Sequence, residues 1–379
     1  MKVLFLSNYL SHHQKPLSDE LYKILGAGNY FFVCTDRISN ARKEMGWSYL
    51  DAPYSIEYGA QTSGLIEGMI CSFDVVIVGH APLSLIKQRI KERKLTICNT
   101  ERRYKSISRY LKYPINTYKS YYFNRGYLLA SSAYAPIDYV ISGMRLKKCF
   151  RWGYFPEVKR YEDIDSVIRN KGKTDCPGNP ISILWAGRLI KWKHPELALT
   201  LAKYLRDHRI PFKVDIVGNG VLENTLRAKS SKLGLDVFVH FHGAMSPTEV
   251  RDYMEKSDIF IFTSDRNEGW GAVLNESMNS ACAVVASDAI GAVPYLIEDG
   301  KNGIVFKHGR KRDFCNKVVT LINDVQLRRK IQREAYFTIH DVWNPKNAAK
   351  NLVLLMDCLL VGKEVCIDKG PGSPAPLVF

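Results

Sequence analysis

The chain has 379 residues, of which 46% are hydrophobic and 24% are charged, and its formal net charge is +16. This length favours two domains over a single core, and the sequence contains no apolar window of about 18 or more residues that would span a membrane. The nine cysteines are scattered singly, without the paired spacing of a zinc site or a disulfide framework, which favours a reduced cytoplasmic setting.

The first half of the chain alternates apolar runs with segments of helical spacing. Strands are predicted at 2–7, 30–34, 73–79, 95–99 and 138–142, and helices at 16–25 and about 83–93. This alternation predicts an α/β fold with a doubly wound parallel sheet, which binds ligands at the carboxyl ends of its strands. Polar residues that follow predicted strands are therefore candidates for acceptor or sugar contacts: His12, His13, His80 and Glu101. For the histidines the alternative is a solvent-exposed loop residue or, at His80, a helix-entry residue without substrate contact.

A strongly basic segment lies between Lys87 and Arg125. It holds twelve Lys or Arg residues against two acids, Glu92 and Glu101, and six tyrosines interleave with the charges. Such a mixture suits the headgroup layer of an anionic membrane or a nucleic acid. The alternative is a solvated basic face with core-facing tyrosines.

The second half repeats the alternation of strands and helices. Residues 1–160 are assigned to the N-terminal domain and 161–180, rich in charge, glycine and proline, to a linker. Residues 181–340 are predicted to form a second doubly wound domain. A helix is expected at 341–361, where Asn344 and Pro345 suit an N-cap and a first helical position. The composition of 362–379 predicts a disordered tail.

Two loops in the second domain carry candidates for binding a phosphate. Arg188 and Lys193 follow a predicted strand and precede a helix predicted to begin at Pro195. Two cations beside a helix N-terminus would hold a diphosphate, although any basic protein offers such residues in loops. The run Gly218-Asn219-Gly220 is either a tight turn that needs positive φ or a turn that lets a nucleotide approach the backbone.

A third motif combines a strand, a turn and a helix start. It begins after the apolar run 259–262 and has one carboxylate at each side of the turn, Glu268 and Glu276. The N–H groups between them would lack intrahelical partners and suit an anionic or oxygen-rich ligand. The two carboxylates cannot bind an anion, so contacts with sugar hydroxyls are the expected task.

In this order, the motifs resemble the retaining glycosyltransferases of family 4, also called glycosyl transferases group 1, over residues 181 to about 307. The resemblance implies the GT-B fold, with two facing Rossmann-like domains and a C-terminal helix that crosses back to the first. It also implies transfer of a hexosyl unit, with retention, from a nucleotide-diphosphate sugar such as a UDP or GDP sugar to a glycan or lipid-linked acceptor. No metal and no cofactor besides this co-substrate are expected.

The same resemblance implies roles for individual residues. Arg188 and Lys193 would bind the donor diphosphate and neutralise the leaving group, Glu276 would accept from the ribose hydroxyls, and Glu268 would accept from the transferred sugar. The remaining donor contacts are expected from Gly187, Gly218, Asn219, Gly220, His242, Gly243, Met245, Gly269, Trp270, Gly271, Ala272 and Val273. His80 is included among the catalytic candidates from the first domain.

Some alternatives stay open at this point. The loop after the first strand reads Ser-His-His-Gln where many relatives have a Gly-rich loop. Glu268 could be taken for a nucleophile by analogy with retaining glycosidases, but the resemblance favours same-face attack with the donor phosphate accepting the proton.

The expected setting is cell-surface polysaccharide or glycolipid synthesis, in the cytoplasm or peripherally on the inner face of the membrane through Lys87 to Arg125. No nucleic acid is expected as a partner. The rival functions are a basic nucleic-acid-binding protein and a GT-B sensor that binds a nucleotide sugar without transferring it.

Overall fold

A computed structural model describes the chain in two compact units. The first unit comprises Met1–Glu157 and Trp343–Phe379, and the second comprises Val158–Val342. The described residues are 1–38, 50–102, 126–141, 143–171 and 179–378.

In the described part of the chain, seven parallel strands form the sheet of the first unit, in the order β3-β2-β1-β4-β5-β6-β7. They are β1 Val3–Ser7, β2 Tyr30–Cys34, β3 Ser55–Glu57, β4 Val75–Val78, β5 Thr96–Thr100, β6 Tyr127–Ala130 and β7 Cys149–Arg151. β1 and β4 are buried at every residue. Continuous apolar runs of this kind are typical of parallel strands that are covered on both faces.

Six parallel strands form the sheet of the second unit, again counted over the described residues, in the order β10-β9-β8-β11-β12-β13. They are β8 Ile181–Ala186, β9 Phe212–Val217, β10 Val239–Gly243, β11 Ile259–Phe262, β12 Ala283–Ser287 and β13 Ile304–Phe306. β8 lies between β9 and β11, so the chain reverses its direction across the sheet there. In open parallel sheets, such a switch point places a crevice at the carboxyl ends of the strands.

Helices connect the strands in both units. In chain order they are α1 Lys15–Leu25, α2 Ser63–Ser72, α3 Leu83–Lys91, α4 Ala135–Ile141, α5 Ile164–Lys171, α6 Glu196–Asp207, α7 Glu223–Lys232, α8 Pro247–Lys256, α9 Val273–Asn279, α10 Val293–Leu296, α11 Lys311–Asn323, α12 Val325–Phe337 and α13 Pro345–Val361. A 3-10 turn, Lys191–Lys193, precedes α6, and a π-helical turn, Thr338–Val342, follows α12.

The last helix, α13, begins and ends at residues that suit those positions. The Asn344 side chain accepts a hydrogen bond from the backbone N–H of Asn347 at 2.8 Å, and Pro345 follows it. At the other end, Gly362 adopts the left-handed conformation with φ of 72°. The predicted N-cap and first-position proline are confirmed, and α13 packs against α1 inside the first unit.

One predicted strand is a helix. The run 138–142 was expected to end the first sheet, but α4 covers Ala135–Ile141, and β6 and β7 supply the last strands. A short apolar run does not distinguish a strand from a buried helix by periodicity. Ser132 and Pro136 were the overlooked signals, because both suit a helix start, and the N–H of Ala135 donates to the Ser132 carbonyl at 3.0 Å.

The predicted linker 161–180 contains a regular helix, α5. Ile164 and Ile168 on this helix are buried in a cluster with Ala281 and Tyr336 of the second unit. Charges on the other face of α5 gave the segment its linker-like composition. Residues 172–178 lie outside the described residues.

The expectation of a disordered tail from residue 362 is wrong for the described part of that tail. Residue 375 donates its backbone N–H to the Cys149 carbonyl at 2.9 Å, and the Arg151 N–H donates to the Ser373 carbonyl at 2.8 Å. Phe150 forms an antiparallel bridge with Pro374. Because β7 is an edge strand with unpaired backbone groups, these bonds order a segment whose composition alone predicts disorder.

Among the described residues, no helix combines the length and apolar character needed to cross a bilayer. Each described cysteine is a free thiol. Burial raises the pKa of the Cys149 thiol to about 12 and that of Cys315 to about 11. Both therefore behave as small apolar core residues.

Candidate functional site

The loops after β8 and β11 are joined at one edge of the second sheet. β8 and β11 are parallel neighbours, so both loops leave from the carboxyl edge. The backbone N–H of Asp265 donates to the Trp192 carbonyl at 2.9 Å. The Thr263 hydroxyl donates to the Lys193 carbonyl at 2.7 Å and accepts from the buried Trp185 indole at 2.8 Å. Lys193 thus sits on a backbone that both strands hold in place.

Lys193 and Glu268 form an ion pair at this edge. Nζ of Lys193 donates to Oε2 of Glu268, and the Ser264 hydroxyl donates to the same oxygen at 2.8 Å. The side chains of the lysine and the glutamate are only 12% and 10% exposed. A pair this buried costs desolvation energy, and removing one partner leaves the other charge uncompensated.

Arg188 lies in the same loop and is exposed. Its guanidinium is 5.7 Å from the centroid of the Trp192 ring, and Nζ of Lys193 is 4.8 Å from the same centroid. The structure therefore brings three predicted residues, Arg188, Lys193 and Glu268, to one place and adds Trp192, which the sequence did not single out.

The glycines at 218 and 220 pack closely against the backbone of the loop after β8. A Cβ at Gly218, where φ is 126°, would lie 1.9 Å from the Gly187 carbonyl oxygen. A Cβ at Gly220 would lie 2.6 Å from the Leu189 oxygen. The Leu189 N–H donates to the Asn219 carbonyl at 2.7 Å. Of the two interpretations of this glycine turn, the geometry favours a tight turn that supports the loop carrying Arg188.

The third motif enters α9 through a turn at Gly271. Gly271 has φ of 86°, and a Cβ there would lie 2.4 Å from the Phe262 ring. Gly269 and Ala272 are buried and Val273 is half-buried. Trp270 is fully buried, and its indole donates to Asn275 at 2.9 Å. Trp270 therefore anchors the turn, and the Leu274 N–H in the first turn of α9 donates to the Gly271 carbonyl at 2.9 Å.

Glu276 lies in the first turn of α9 and is half-buried. Its carbonyl oxygen accepts from Nη1 of Arg251 at 3.1 Å. Glu268 thus belongs to the loop and Glu276 to the helix that follows it. The two carboxylates that frame the motif in sequence are held by different elements.

At the end of β10, His242 is fixed by its neighbours. Nε2 of His242 donates to Oδ1 of Asp215 at 2.6 Å, since a carboxylate only accepts. Nδ1 lies 3.2 Å from the Tyr253 hydroxyl. Both ring nitrogens are engaged inside the fold, so the neighbouring Gly243 and half-buried Met245 are the better-placed candidates for a nucleotide base.

His194 is a site-edge residue that the sequence analysis missed. It is left-handed, with φ of 51°; Nδ1 donates to Oε1 of Glu196 at 2.9 Å, and Nε2 lies 3.5 Å from Oδ2 of Asp265. The hydrogen bond with Glu196 raises the pKa of His194, whereas burial acts in the opposite direction. The sequence shows the proximity of Glu196, but only the fold reveals Asp265.

The first unit holds its candidates at the carboxyl edge of its own sheet. The rings of His12 and His13 have centroids 3.9 Å apart in the loop after β1. His80, after β4, is 66% exposed and its Nδ1 lies 2.8 Å from Oδ2 of Asp36. Glu101, after β5, accepts from the Tyr154 hydroxyl at 2.7 Å.

The basic segment is described only up to Arg102, and residues 103–125 lie outside the described residues. One of its charges is not on the surface. Arg89 is fully buried and donates to the carbonyl oxygens of Ile70, Phe73, Asp74 and Leu95. Lys87, Lys91 and Arg93 are exposed.

Residues 167–337, which hold the whole Lys193–Glu268 site, match the family model described as glycosyl transferases group 1. The resemblance to the group 1 glycosyltransferases is confirmed. The group 1 segment covers most of the second unit, from α5 to the end of α12.

Individual relatives are named as glycosyltransferases. An N-acetylgalactosamine-N,N'-diacetylbacillosaminyl-diphospho-undecaprenol 4-alpha-N-acetylgalactosaminyltransferase from Campylobacter jejuni is 31% identical over 176 residues, which are 46% of this chain and 47% of that protein. The chain spans between 40% and 51% of the length of the first curated relatives it matches.

Solved structures with the same fold cover nearly the whole chain. A glycosyltransferase from Rickettsia africae aligns with a TM-score of 0.67 at 16% identity, over 95% of this chain and 98% of that one. HepE from Anabaena, solved in complex with UDP and glucose, aligns with a TM-score of 0.63 at 17% identity, over 93% and 98%. At these identities the likeness concerns the fold, and the expected GT-B class is confirmed.

Proposed function

We propose that this protein is a retaining glycosyltransferase that moves a hexosyl unit from a nucleotide-diphosphate sugar to a glycan or lipid-linked acceptor. The observation that carries the proposal is the buried Lys193–Glu268 pair, with Arg188 in the same loop, at the carboxyl edge of the second sheet.

The arrangement fits the electrostatic needs of glycosyl transfer. When the bond to the sugar breaks, negative charge grows on the departing diphosphate, and preorganised cations beside it lower the barrier. Arg188 and Lys193 supply those cations. Glu268 orients Lys193 and offers a carboxylate oxygen to a sugar hydroxyl. In this proposal Glu268 positions the donor, and the donor phosphate takes the acceptor's proton on the face that the acceptor attacks.

The donor is proposed to carry UDP, although GDP and ADP are alternatives for the test. HepE, which shares the fold, was solved with UDP and glucose, and this supports the choice. Titration calorimetry with UDP, GDP and ADP tests it. Absence of binding to all three would rule out the donor site and, with it, the proposed activity.

Variants of the ion pair test the chemistry. Lys193→Met is expected to weaken nucleoside diphosphate binding. Because it leaves the buried Glu268 charge without a partner, it is also expected to lower the free energy of unfolding by about 3–5 kcal/mol. The double variant Lys193→Met/Glu268→Leu is expected to recover most of that stability without recovering transfer.

Glu268→Gln is expected to keep diphosphate affinity within about threefold while transfer falls about 100-fold or more. Thermal unfolding and a transfer assay with a labelled donor give the two readouts, and unchanged transfer in Glu268→Gln would contradict the role of Glu268.

The acceptor is proposed to be lipid-linked, with the segment Lys87 to Arg125, in which Lys87, Lys91 and Arg93 are exposed, holding the protein at an anionic membrane. The name of the Campylobacter relative includes a diphospho-undecaprenol acceptor, which supports a lipid-linked substrate. Sedimentation with anionic vesicles at rising salt tests attachment, because screening weakens it. Binding to neutral vesicles that salt leaves unchanged would contradict the electrostatic mechanism.

Retention and metal independence are part of the proposal. Nuclear magnetic resonance of the first product formed shows whether the anomeric configuration of the donor is kept. Transfer is expected to persist in a chelating buffer. A product of inverted configuration, or activity restored only by a divalent cation, would overturn these two statements without affecting the donor site.

A further inference from the structure

The indole of Trp192 contacts both cations of the proposed donor site. The Arg188 guanidinium lies 5.7 Å from the ring centroid, and Nζ of Lys193 lies 4.8 Å from it. An aromatic ring attracts a cation within about 6 Å, and tryptophan does so most strongly. One ring therefore interacts with two positive charges of the same loop.

Hydrogen bonds of the backbone hold Trp192 in place, and they do not involve the charged groups of Arg188 and Lys193. Trp192 lies in the 3-10 turn Lys191–Lys193, and its carbonyl accepts from the Asp265 N–H at 2.9 Å. The next carbonyl, that of Lys193, accepts from the Thr263 hydroxyl at 2.7 Å. Since both bonds come from the loop after β11, the turn that carries the indole is anchored by the sheet.

Arg188 and Lys193 differ in how much their position depends on the Trp192 ring. Lys193 also has Glu268 as an ion-pair partner and lies 5.6 Å from the Phe262 ring centroid. Arg188 is exposed, and an exposed arginine loses rotamer entropy when a ligand orders it. A flat ring beside the guanidinium restricts that freedom before the ligand arrives. Its electron-rich face also offsets repulsion between the two cations.

We propose that Trp192 is a positioning residue that holds Arg188 and Lys193 side by side for the donor diphosphate. The inference rests on the proposed function and adds a residue to the same site. Because Trp192 acts through the two cations, it governs affinity for the diphosphate group and contributes little to recognition of the nucleoside.

The test measures dissociation constants of the full chain for UDP, GDP and ADP and for UMP, GMP and AMP. Trp192→Leu is expected to weaken the tightest diphosphate about fivefold to twentyfold and the matching monophosphate about threefold or less. Trp192→Phe keeps a weaker aromatic face, so its affinity for the diphosphate is expected to lie between that of Trp192→Leu and that of the parent. Thermal unfolding of each variant checks that the fold is retained.

Fluorinated tryptophans placed at position 192 separate the electrostatic role from packing. They keep the shape of the indole but weaken its negative face, so diphosphate affinity is expected to fall with each added fluorine. Phe337→Leu is the matched control, because the Arg333 guanidinium lies 5.4 Å from that ring elsewhere in the second unit. This control is expected to leave diphosphate affinity unchanged.

The outcomes distinguish this inference from the proposed function. If the parent protein binds a nucleoside diphosphate and Trp192→Leu or the fluorinated series binds it equally well, the role of Trp192 is overturned and the donor site stands. If the parent binds no nucleoside diphosphate, both are overturned. Equal losses for the diphosphate and the monophosphate would also overturn a role through the two cations.

Discussion

His194 lies at the edge of the candidate site, and the residues around its ring shift its pKa. It follows Lys193 directly, adopts a left-handed backbone, and places its ring between Glu196 and Asp265. Non-glycine residues rarely adopt this conformation, and they do so mainly where surrounding contacts enforce it. Here the two carboxylates, on different elements, provide those contacts.

We expect His194 to make stability depend on pH. The hydrogen bond with Glu196 raises its pKa above the ordinary value of 6.5. The group therefore binds its proton more tightly in the folded chain than in the unfolded chain. Its contribution is fully present below the unfolded-state pKa and is lost as pH rises through the higher folded-state pKa.

The variant His194→Asn measures this contribution, because asparagine tolerates the left-handed backbone and does not titrate. The free energy of unfolding from urea titrations is compared between the parent and the variant at a series of pH values. The difference is expected to be largest on the acidic side and to shrink as pH rises from about 6.5 upward. The groups that face the ring are Glu196, Asp265 and His308, whose ring centroid is 5.4 Å away. A difference that is constant with pH would contradict the assignment.

At the residue scale the sequence identified charged groups but not their partners. Arg188, Lys193 and Glu268 stood out because they follow strands in motifs with defined spacing. Ser264 and Trp192 did not, because a hydroxyl or an indole beside a motif has no distinctive spacing. Arg89 was counted among surface charges, yet four backbone carbonyls surround it in the core.

At the scale of elements, the glycine turn after β9 supports the loop after β8. We expect Gly218→Ala to destabilise the second unit strongly, since its Cβ would meet the Gly187 carbonyl oxygen at 1.9 Å and the backbone must shift. Gly309→Ala is the control, because φ is 78° there and nothing lies within 4 Å of the added Cβ. Gly309→Ala is expected to lower the free energy of unfolding by roughly 1 kcal/mol, because of backbone strain alone.

Thermal unfolding and diphosphate titration compare these two variants. Gly218→Ala is expected to lose substantially more stability than Gly309→Ala and also to lose diphosphate affinity, because the displaced turn shifts the Arg188 loop. Equal costs for both substitutions would show that the close approach is relieved without disturbing that loop.

Element prediction from sequence succeeded where apolar runs were long or flanked by clear signals. β1, β4 and β11 were predicted within a few residues, because buried parallel strands are continuously apolar. The run 138–142 became helix α4 because its short apolar pattern fits both structures. The helix α5 was hidden in a charged segment, since only one of its faces is buried.

At the scale of the molecule, the chain leaves the first unit after Glu157 and returns to it at Trp343. The returning segment contributes α13 and the tail that pairs with β7. Besides the backbone bonds to β7, Nδ2 of Asn351 donates to the Pro371 carbonyl at 2.8 Å. Ser373 and Ala375 are buried. The tail is therefore part of the first unit's structure.

We expect removal of residues 367–379 to destabilise the first unit by about 1–3 kcal/mol, because it exposes the β7 edge and removes several hydrogen bonds. For a unit of this size, that corresponds to a fall in melting temperature of roughly 3–10 °C. Removal of 377–379 alone is the control, since it keeps each of the bonds described here. Differential scanning calorimetry measures both, and equal melting temperatures for the two truncations would contradict a structural role for the tail.

The sequence by itself determined the alternation of strands and helices, the order of the three strand-end motifs and hence the resemblance to the group 1 glycosyltransferases. These features depend only on local periodicity and on the spacing of residues along the chain. The tertiary structure decided that Lys193 is paired with Glu268 and Ser264, that Trp192 lies beside both cations, that the glycine turn packs on the Arg188 loop, and that the tail is ordered. The ion pair, the packing of the glycine turn and the order of the tail depend on contacts between residues distant in sequence, whereas the conformation of the loop brings Trp192 beside its near neighbours Arg188 and Lys193. Contacts of both kinds contribute energy only after the chain has folded, because the strands and loops that carry the partners must first be brought together.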